Sequence, residues 1–321
     1  MELLRVENLK TYFHISQGIV KAVDDVSFTL AYGQCLGLVG ESGCGKTTTA
    51  LSINRLLPPE GKIQSGNIYL EAVNLTALSD DEIRKRRWKE ISMIFQGAMN
   101  ALNPVMKIGE QIAEAVVLHQ QVSHQQAWGR AKELFELVEL EPDRISGYPH
   151  EFSGGMKQRA MIAMALACDP KLVIGDEPTT ALDVMVQAQI LNLLDKLRQN
   201  LNMGLILITH DLSILGETCD RIAVMYAGKI VEMGSTEDIY HEHMHPYTYR
   251  LLRAFPHIRG PKQMPEPIMG TPPDLIRPPS GCRFHPRCDY AKEICREEEP
   301  GMTAAGDGHA YACHFGGAFN G

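Results

Sequence analysis

The chain has 321 residues, about twice the ~150 residues of an average domain, so it holds either one large domain with an appendix or two domains. Hydrophobic residues make up 44% and charged residues 22% of the chain, which excludes disordered, collagen-like and coiled-coil proteins. The formal net charge is -8 and the longest basic run is Arg84–Arg87, so a general nucleic-acid-binding surface is not expected.

Two further features concern the membrane. No apolar run approaches the roughly 18 residues that a membrane-spanning helix needs. The N-terminal residues lack the basic start and apolar stretch of a secretory signal. These features predict a cytoplasmic protein that does not cross a membrane by itself.

The predicted elements alternate between strands and helices, and this alternation favours an α/β fold. Each strand is a short run of β-branched and apolar residues. A capping box from Ser79 to Glu82 predicts the start of one helix. In chain order we predict strands at 2–7, 24–30 and 35–39, a helix at 46–56, a strand at 66–70, a helix at 80–89, a strand at 91–95, helices at 124–138 and 155–168, a strand at 171–175, a helix at 185–200, and strands at 204–209, 221–226 and 229–233.

Residues 97–165 carry helical patterns and no convincing strand, and we interpret them as a helical insertion. The predicted helix at 124–138 places five apolar side chains on one face, which we expect to be buried. These side chains are Ala127, Ala131, Leu134, Phe135 and Val138.

A proline-rich segment follows the last predicted strand. Eight prolines fall within the 24 residues from Pro256 to Pro279, too many for a helix or a central strand. We therefore expect an extended connector that separates a core at 1–255 from a tail at 256–321.

A glycine-rich loop joins the strand at 35–39 to the helix at 46–56, and it reads Gly40-Glu-Ser-Gly-Cys-Gly-Lys-Thr47. Glycines let backbone N–H groups wrap phosphates, Lys46 places a cation at the β and γ phosphates, and the Thr47 hydroxyl suits Mg²⁺. The strand before it and the helix after it favour a phosphate-binding loop over a structural glycine turn.

The strand at 171–175 delivers Asp176 and Glu177 at its C-terminal end, where α/β sheets place their ligands. Asp176 is suited to hold hydrated Mg²⁺, and Glu177 to polarise an attacking water. Taken alone, such a pair is more often a helix N-terminus that carries acids. The strand at 204–209 precedes His210, which either reaches the same edge or is an ordinary polar residue at a strand end.

Ser153 and two glycines precede the predicted helix at 155–168, in Phe152-Ser-Gly-Gly-Met-Lys-Gln-Arg159. This is a second helix start suited to anions, but it has no lysine to complete a phosphate loop. Two such starts in one chain suggest a nucleotide shared between two copies, and an ordinary N-capped helix is the alternative.

In order and spacing, these motifs resemble those of the ATP-binding-cassette ATPases. The resemblance covers residues 1 to about 235 and rests on the phosphate loop 40–47, Gln96, the signature at 153–157, Asp176-Glu177, Ala181-Leu-Asp183 and His210. It implies an α/β cassette fold: a RecA-like core, an antiparallel β subdomain and a helical subdomain at about 97–165, here followed by a small C-terminal cysteine-rich domain. It also implies that two cassettes pair head to tail, each ATP lying between the phosphate loop of one and the signature of the other.

The resemblance also implies a role for each matching residue. Glu177 would be the general base, His210 would contact the γ-phosphate, and Gln96 would help to ligate Mg²⁺ and sense the γ-phosphate. Phe13 fits the adenine-stacking aromatic best, with Tyr12 as the alternative. Contacts to the chain's own ATP and Mg²⁺ would come from Gly40, Ser42, Gly43, Cys44, Gly45, Lys46, Thr47, Thr48, Gln96 and Asp176. The partner's nucleotide, or the link between the two sites, would be served by Ser153, Gly154, Gly155, Met156 and Asp183.

Two positions depart from the common family pattern. The signature has Phe152 and Met156 where many members have Leu and Gln, and Gly175 stands where a bulkier apolar residue is commoner. Neither departure replaces a residue that touches phosphate, so we expect the site to hydrolyse ATP.

Two later segments, His245–Leu252 and Pro278–Cys288, resemble the C-terminal extension of the ATPase subunits of dipeptide and oligopeptide importers. This resemblance implies two transmembrane permease subunits, an extracytoplasmic peptide-binding protein, and a paralogous cassette ATPase or a second copy of this chain. It places the chain peripherally on the cytoplasmic face of the membrane, with the insertion docked on the permease and Gln96 and residues 97–104 relaying ATP occupancy. The alternatives are the same motor with nickel or glutathione as cargo, or a soluble cassette ATPase that acts on nucleic acid.

The eight cysteines fall into two groups. Four are scattered and are interpreted as small packing residues: Cys35, Cys44, Cys168 and Cys219. The other four are spaced C-x5-C-x6-C-x17-C, which is neither a usual zinc-finger nor a ferredoxin spacing: Cys282, Cys288, Cys295 and Cys313.

Four clustered thiols in a cytosolic protein favour a metal site over free thiols. Resemblance to the peptide importers points to a [4Fe-4S] cluster, with zinc as the alternative. His285, His309 and His314 are candidate substitutes for one cysteine. Because the tail lies past the connector, we expect it to contribute no residue to the nucleotide motifs.

Overall fold

The structure is a computed structural model, and it describes residues 1–97, 101–180, 182–254 and 266–317, with the backbone alone at Ser213. The chain divides into two compact units. The first unit comprises the described residues of Met1, Ala31–Gln34 and Ala77–Leu207, and the second those of Glu2–Leu30, Cys35–Thr76 and Ile208–Gly321.

The strands are mostly short, and three of them have the predicted bounds: those at 35–39, 204–209 and 221–226. Over the described residues they are β1 (Glu2–Ile15), β2 (Gly18–Ala31), β3 (Cys35–Val39), β4 (Gly61–Leu70), β5 (Val73–Asn74), β6 (Ile91–Ile94), β7 (Leu172–Asp176), β8 (Gly204–Thr209), β9 (Arg221–Tyr226), β10 (Lys229–Ser235), β11 (Thr303–Gly306) and β12 (His309–Tyr311).

Six of the helices in the described residues begin at a residue whose side chain accepts a hydrogen bond from a free backbone N–H group. The predicted capping box at Ser79 and Glu82 is present, and Asp183 accepts a hydrogen bond from the backbone of Val186. Over the described residues the helices are α1 (Lys46–Ile53), α2 (Asp80–Arg86), α3 (Ile108–Gln120), α4 (His124–Leu137), α5 (Gly154–Ala165), α6 (Val184–Leu201), α7 (Leu212–Thr218), α8 (Thr236–His241), α9 (Pro246–Arg253) and α10 (Ile294–Glu297).

The second unit contains an antiparallel sheet in the order β2-β1-β4-β5. β1 is more than twice as long as the strand predicted at 2–7, and it pairs with β4 from Leu4 opposite Leu70 to Phe13 opposite Gly61. A shift in register near Lys10 accommodates this long pairing. The expected antiparallel β subdomain is therefore present.

The second unit also contains the adjacent strands β11-β12-β10-β9-β3. β3 runs parallel to β9, with Val39 opposite Val224. The tail strand β12 pairs antiparallel to β10, with Glu232 opposite Tyr311. The tail therefore adds strands to the sheet that contains β3, and β3 leads directly into the glycine-rich loop.

The first unit contains the adjacent strands β8-β7-β6, of which β8 crosses the unit boundary at Leu207. β6 and β7 are parallel, with Ile94 opposite Gly175. Every residue of β6 and β7 is buried, as their apolar sequences predict. The carboxyl ends of β6 and β7 consequently lie side by side.

Described residues 101–165 form α3, α4, α5 and two short 3₁₀ turns but no strand, which agrees with the predicted helical insertion. Residues 98–100 of the predicted segment lie outside the described residues. Phe135 of α4 packs edge-on against Phe152, with ring centroids 6.4 Å apart. The predicted apolar face of α4 is fully buried: Ala127, Ala131, Leu134, Phe135 and Val138.

The connector is described from Glu266 onwards, and residues 266–279 contain no helix or strand, as the prolines predict. The predicted boundary between residues 255 and 256 lies outside the described residues and stays a prediction. Among the helices of the described residues, none is long and apolar enough to cross a bilayer.

Candidate functional site

The loop after β3 has a backbone that only glycine accommodates at two positions. Gly40 and Gly45 have φ angles of 152° and 107°. A Cβ on Gly40 would lie 2.1 Å from the carbonyl oxygen of Met225, and one on Gly45 would lie 2.3 Å from that of Ala22. These close approaches hold the loop in a tight curve over the end of β3.

Lys46 lies inside this curve, with only 6% of the residue exposed. Its Nζ donates to the carbonyl oxygens of Gly40, at 2.7 Å, and Glu41, at 3.1 Å. Burial raises the pKa of the neighbouring Cys44 thiol, although the Lys46 ammonium opposes the shift. The loop therefore encloses one fixed positive charge beside a neutral thiol.

Helix α1 begins at Lys46, and its first turn is suited to an anion. Gly45 provides no side-chain cap and the turn contains no acidic residue. The N–H groups of this turn are therefore not satisfied by a side-chain cap, and Thr47 is exposed beside them. Phosphate oxygens are suitable acceptors for such a helix start.

The first unit carries the predicted acids at the carboxyl edge of β7. Asp176 is 2% exposed, whereas Glu177 is half-buried and has a φ of 47°. One carboxylate oxygen of Glu177, Oε2, accepts from Gln96 Nε2 at 2.7 Å and from Thr180 Oγ1 at 3.0 Å. The structure thus brings Gln96 and Glu177 together, and two donors orient the carboxylate.

The unusual Gly175 has a local steric explanation. A Cβ at this position would lie 3.2 Å from the side chains of both Leu207 and Pro178. The neighbouring β8 and the turn after β7 fill the space that a larger side chain would occupy.

Ser153 and Asp183 begin two helices of the first unit. Ser153 caps α5 by accepting from Met156 N at 3.4 Å, and it is exposed. The start of α6 is adjacent, because a Cβ on Gly155 would lie 2.8 Å from the Val186 side chain. Asp183 accepts from Val186 N at 3.0 Å.

The start of α6 also exposes two large apolar side chains, Val184 (79%) and Met185 (73%). The predicted signature is therefore a surface of the first unit, next to exposed apolar residues.

His210 and the two aromatic candidates lie in the second unit. His210 is exposed directly after β8. The Tyr12 hydroxyl donates to Asp24 at 2.7 Å, and burial together with this bond raises the pKa of Tyr12 to about 12. Phe13 lies on the same face of β1 as Thr11, whose hydroxyl contacts Ser52 of α1 at 2.8 Å. This alternation places Phe13, not Tyr12, on the α1 side of β1.

The tail makes a contact that the sequence analysis missed. Arg287 donates to both carboxylate oxygens of Glu41, the second residue of the glycine loop, at 2.6 and 3.0 Å. Arg283 forms a buried ion pair with Asp24. The tail supplies none of the predicted motif residues, but through Arg287 it contacts the phosphate loop, which the sequence analysis did not foresee.

The four tail cysteines line one cavity of about 140 Å³. Cys295 is buried and the others are half-buried. Burial raises the pKa of Cys282 to about 11 and that of Cys288 to about 12. Yet among the described residues no three His, Cys, Asp or Glu side chains are placed to hold a single metal ion.

The three histidine candidates have other partners. His285 contacts the carbonyl oxygen of Cys282 at 2.9 Å, and His314 contacts that of Glu298 at 3.0 Å, although both line the cavity. His309 does not line it and contacts Glu232 at 2.9 Å. The cysteines are therefore the principal ligands that this cavity offers.

Comparisons with known proteins give two family matches and a similar solved structure. Residues 23–180 match the family model for ABC transporters, and residues 231–295 match the model for the C-terminal region of oligopeptide/dipeptide transporters. A dimeric ATP-binding cassette, MJ0796, solved in a post-hydrolysis state with ADP and Pi, is 28% identical with a TM-score of 0.65, over 73% of this chain and 98% of that one.

Two relatives match over almost the whole chain. A probable peptide ABC transporter ATP-binding protein, y4tR of Sinorhizobium fredii, is 48% identical over 97% of this chain and 94% of its own. The dipeptide transport ATP-binding protein DppD of Bacillus subtilis is 46% identical over 97% and 94%. With the phosphate loop, the paired acids and the signature in place, the chain belongs to the family of ATPase subunits of oligopeptide and dipeptide ABC transporters.

Proposed function

We propose that this chain hydrolyses ATP to drive the import of dipeptides or oligopeptides through a membrane permease. The observation that carries the proposal is the match of residues 231–295 to the C-terminal region of oligopeptide/dipeptide transporters. The cassette motifs are common to motors with many cargoes, whereas this region is specific to the peptide group.

The proposed chemistry begins with phosphate binding at the start of α1. Lys46 would exchange its loop carbonyl partners for the β and γ phosphates, and Thr47 and Asp176 would hold Mg²⁺, which supplies charge neutralisation at the phosphates. Glu177 would accept the proton of the attacking water. The hydrogen bond from Gln96 supports this role, since it holds the Glu177 carboxylate in one orientation.

The proposed assembly has two cassettes head to tail on two transmembrane permease subunits, with an extracytoplasmic peptide-binding protein as the donor of cargo. The second cassette would be a paralogous ATPase or a copy of this chain. The exposed Ser153, Val184 and Met185 support a partner on this surface. The chain would lie on the cytoplasmic face of the membrane, and the permease would contact the helical insertion.

The test is transport by the assembled complex in proteoliposomes. With the permease subunits and the peptide-binding protein present, internal ATP should drive uptake of labelled di- or tripeptides. Nickel and glutathione serve as competing cargoes. Uptake of either one without peptide uptake would overturn the peptide assignment and leave the ATPase assignment intact.

We further propose that the cysteine-lined cavity holds a [4Fe-4S] cluster. Four thiolates are the usual donor set for such clusters, and each thiolate binds a different iron of the cluster. The cavity lined by the four tail cysteines offers such a donor set, and zinc, which also takes cysteine ligands, is the alternative. Cys282, Cys288, Cys295 and Cys313 would hold the cluster, which would brace the tail.

Protein purified without oxygen should be brown, absorb near ~400 nm and contain about four irons per chain, because thiolate-to-iron charge transfer colours such clusters. Replacing Cys282, Cys288, Cys295 or Cys313 by Ser should sharply lower the iron content. Cys219→Ser is the matched control, since Cys219 is a buried thiol next to Cys35, 3.2 Å between sulfurs, and does not line the cavity. Stoichiometric zinc without iron in the anaerobic protein would contradict the cluster.

A further inference from the structure

Glu41 lies inside the phosphate loop, between Gly40 and the exposed Ser42. Its carbonyl oxygen accepts from Lys46 Nζ at 3.1 Å, so the position of the Glu41 backbone affects the lysine that faces phosphate. Its backbone N–H donates to the hydroxyl of Tyr247, at 2.9 Å, and Tyr247 is fully buried. One residue thus connects the loop to groups far away in the sequence.

The Glu41 side chain is held by the tail. The Arg287 side chain is 4% exposed and that of Glu41 27%, and the two form a bidentate pair. The guanidinium is itself fixed, because its Nε donates to the Met269 carbonyl oxygen at 2.9 Å and Nη1 lies 3.3 Å from the Tyr226 hydroxyl. A planar donor group with this many fixed contacts is preorganised for one carboxylate.

The charge of Glu41 is the reason that this pair matters for ATP. A carboxylate within the loop that receives the phosphates repels them, unless a cation neutralises it. Lys46 already faces the loop carbonyl oxygens and would be engaged by phosphate. Arg287 supplies the second cation, on the side of the loop that the tail covers.

We propose that Arg287 is a positioning residue for nucleotide binding: it neutralises Glu41 and fixes the phosphate loop, so that the cysteine-bearing tail is part of the nucleotide site. Arg287 directly precedes Cys288, and the segment from Cys282 to Cys288 thus links the cysteine-lined cavity to the phosphate loop. This inference rests on the proposed role of the phosphate loop.

The test measures the dissociation constant of Mg²⁺ with a non-hydrolysable ATP analogue, by calorimetry on the full chain. Arg287→Ala should weaken binding on the order of tenfold, because one partly screened carboxylate then faces the phosphates. The double variant Glu41→Gln/Arg287→Ala should recover most of that loss, since no carboxylate is left uncompensated. A purely structural role of Arg287 would give no recovery.

Arg250→Ala is the matched control. Arg250 also binds the tail, at Asp289 and Glu266, but within the described part of the chain its side chain forms no ion pair with the phosphate loop. It should bind the analogue within about twofold of wild type. An equal loss in Arg250→Ala and Arg287→Ala would show that any loosening of the tail has this effect, and it would overturn the proposal.

If Arg287→Ala does not fold, Arg287→Gln removes the same charge and keeps an amide that can donate to the Met269 carbonyl oxygen. Adding Glu41→Gln to this variant should give the same recovery. Unchanged affinity in Arg287→Ala or Arg287→Gln would overturn the inference alone. Failure of the wild-type chain to bind the analogue would instead contradict the proposed role of the phosphate loop.

Discussion

Glu177→Gln should lower ATP hydrolysis by at least about 100-fold, or ~2.7 kcal/mol of transition-state stabilisation, because an amide cannot accept a proton from water. ATP binding should remain. The substitution should leave the surrounding hydrogen bonds in place, because the amide oxygen of Gln can still accept from Gln96 and Thr180, as Glu177 Oε2 does. The variant should therefore accumulate as an ATP-bound pair of cassettes.

Steady-state phosphate release and size-exclusion chromatography with Mg²⁺-ATP would measure the two effects on the assembled ATPase. Thr180→Ala is the matched control, because it removes one hydrogen bond to Glu177 and leaves the carboxylate in place. It should lose less than about tenfold in rate. Wild-type turnover in Glu177→Gln would show that Glu177 is not the base.

The parts of the fold that sequence alone predicted are those fixed by local patterns. β3 and β8 have the predicted bounds, since each is a short apolar run that ends in a glycine loop or a polar group. The predicted face of α4 is buried because apolar side chains that recur with the helical period of 3.6 residues lie on one side of the helix, and that side packs against the core.

The parts that the sequence did not predict depend on pairing over long distances. β1 continues to Ile15, well past the predicted end at residue 7, because it lies between two partner strands, β2 and β4, and pairs with β4 as far as Phe13. The tail strands β11 and β12 have polar or small residues, and they form because β10 offers an edge.

The site shows the same division. The phosphate loop and the acids after β7 were found from residue types in a strand context, whereas Gln96 was identified only by resemblance. Its amide reaches Glu177 because β6 and β7 are neighbours, which no local pattern encodes. No local pattern pointed to Arg287, because its carboxylate partner, Glu41, lies 246 residues earlier in the chain.

Lys46→Ala should weaken ATP binding by at least about 100-fold, or ~2.7 kcal/mol, because it removes the buried cation of the phosphate loop. Hydrolysis should fall with it. Nucleotide titration of the isolated chain measures the binding loss. Thermal unfolding checks that the variant stays folded, since Lys46 also binds the carbonyl oxygens of Gly40 and Glu41.

Ser153→Arg should behave differently, because Ser153 is exposed on the first unit and would meet the partner's nucleotide. The isolated chain should bind ATP as wild type does, while hydrolysis by the assembled pair is abolished. Loss of the α5 cap costs only about 1 kcal/mol of stability. The second variant, Ser153→Asp, keeps an N-cap oxygen but brings negative charge toward the partner's phosphates. It should therefore also abolish hydrolysis by the assembled pair. If Ser153→Arg prevents ATP binding by the isolated chain as severely as Lys46→Ala, the nucleotide is not shared between two cassettes.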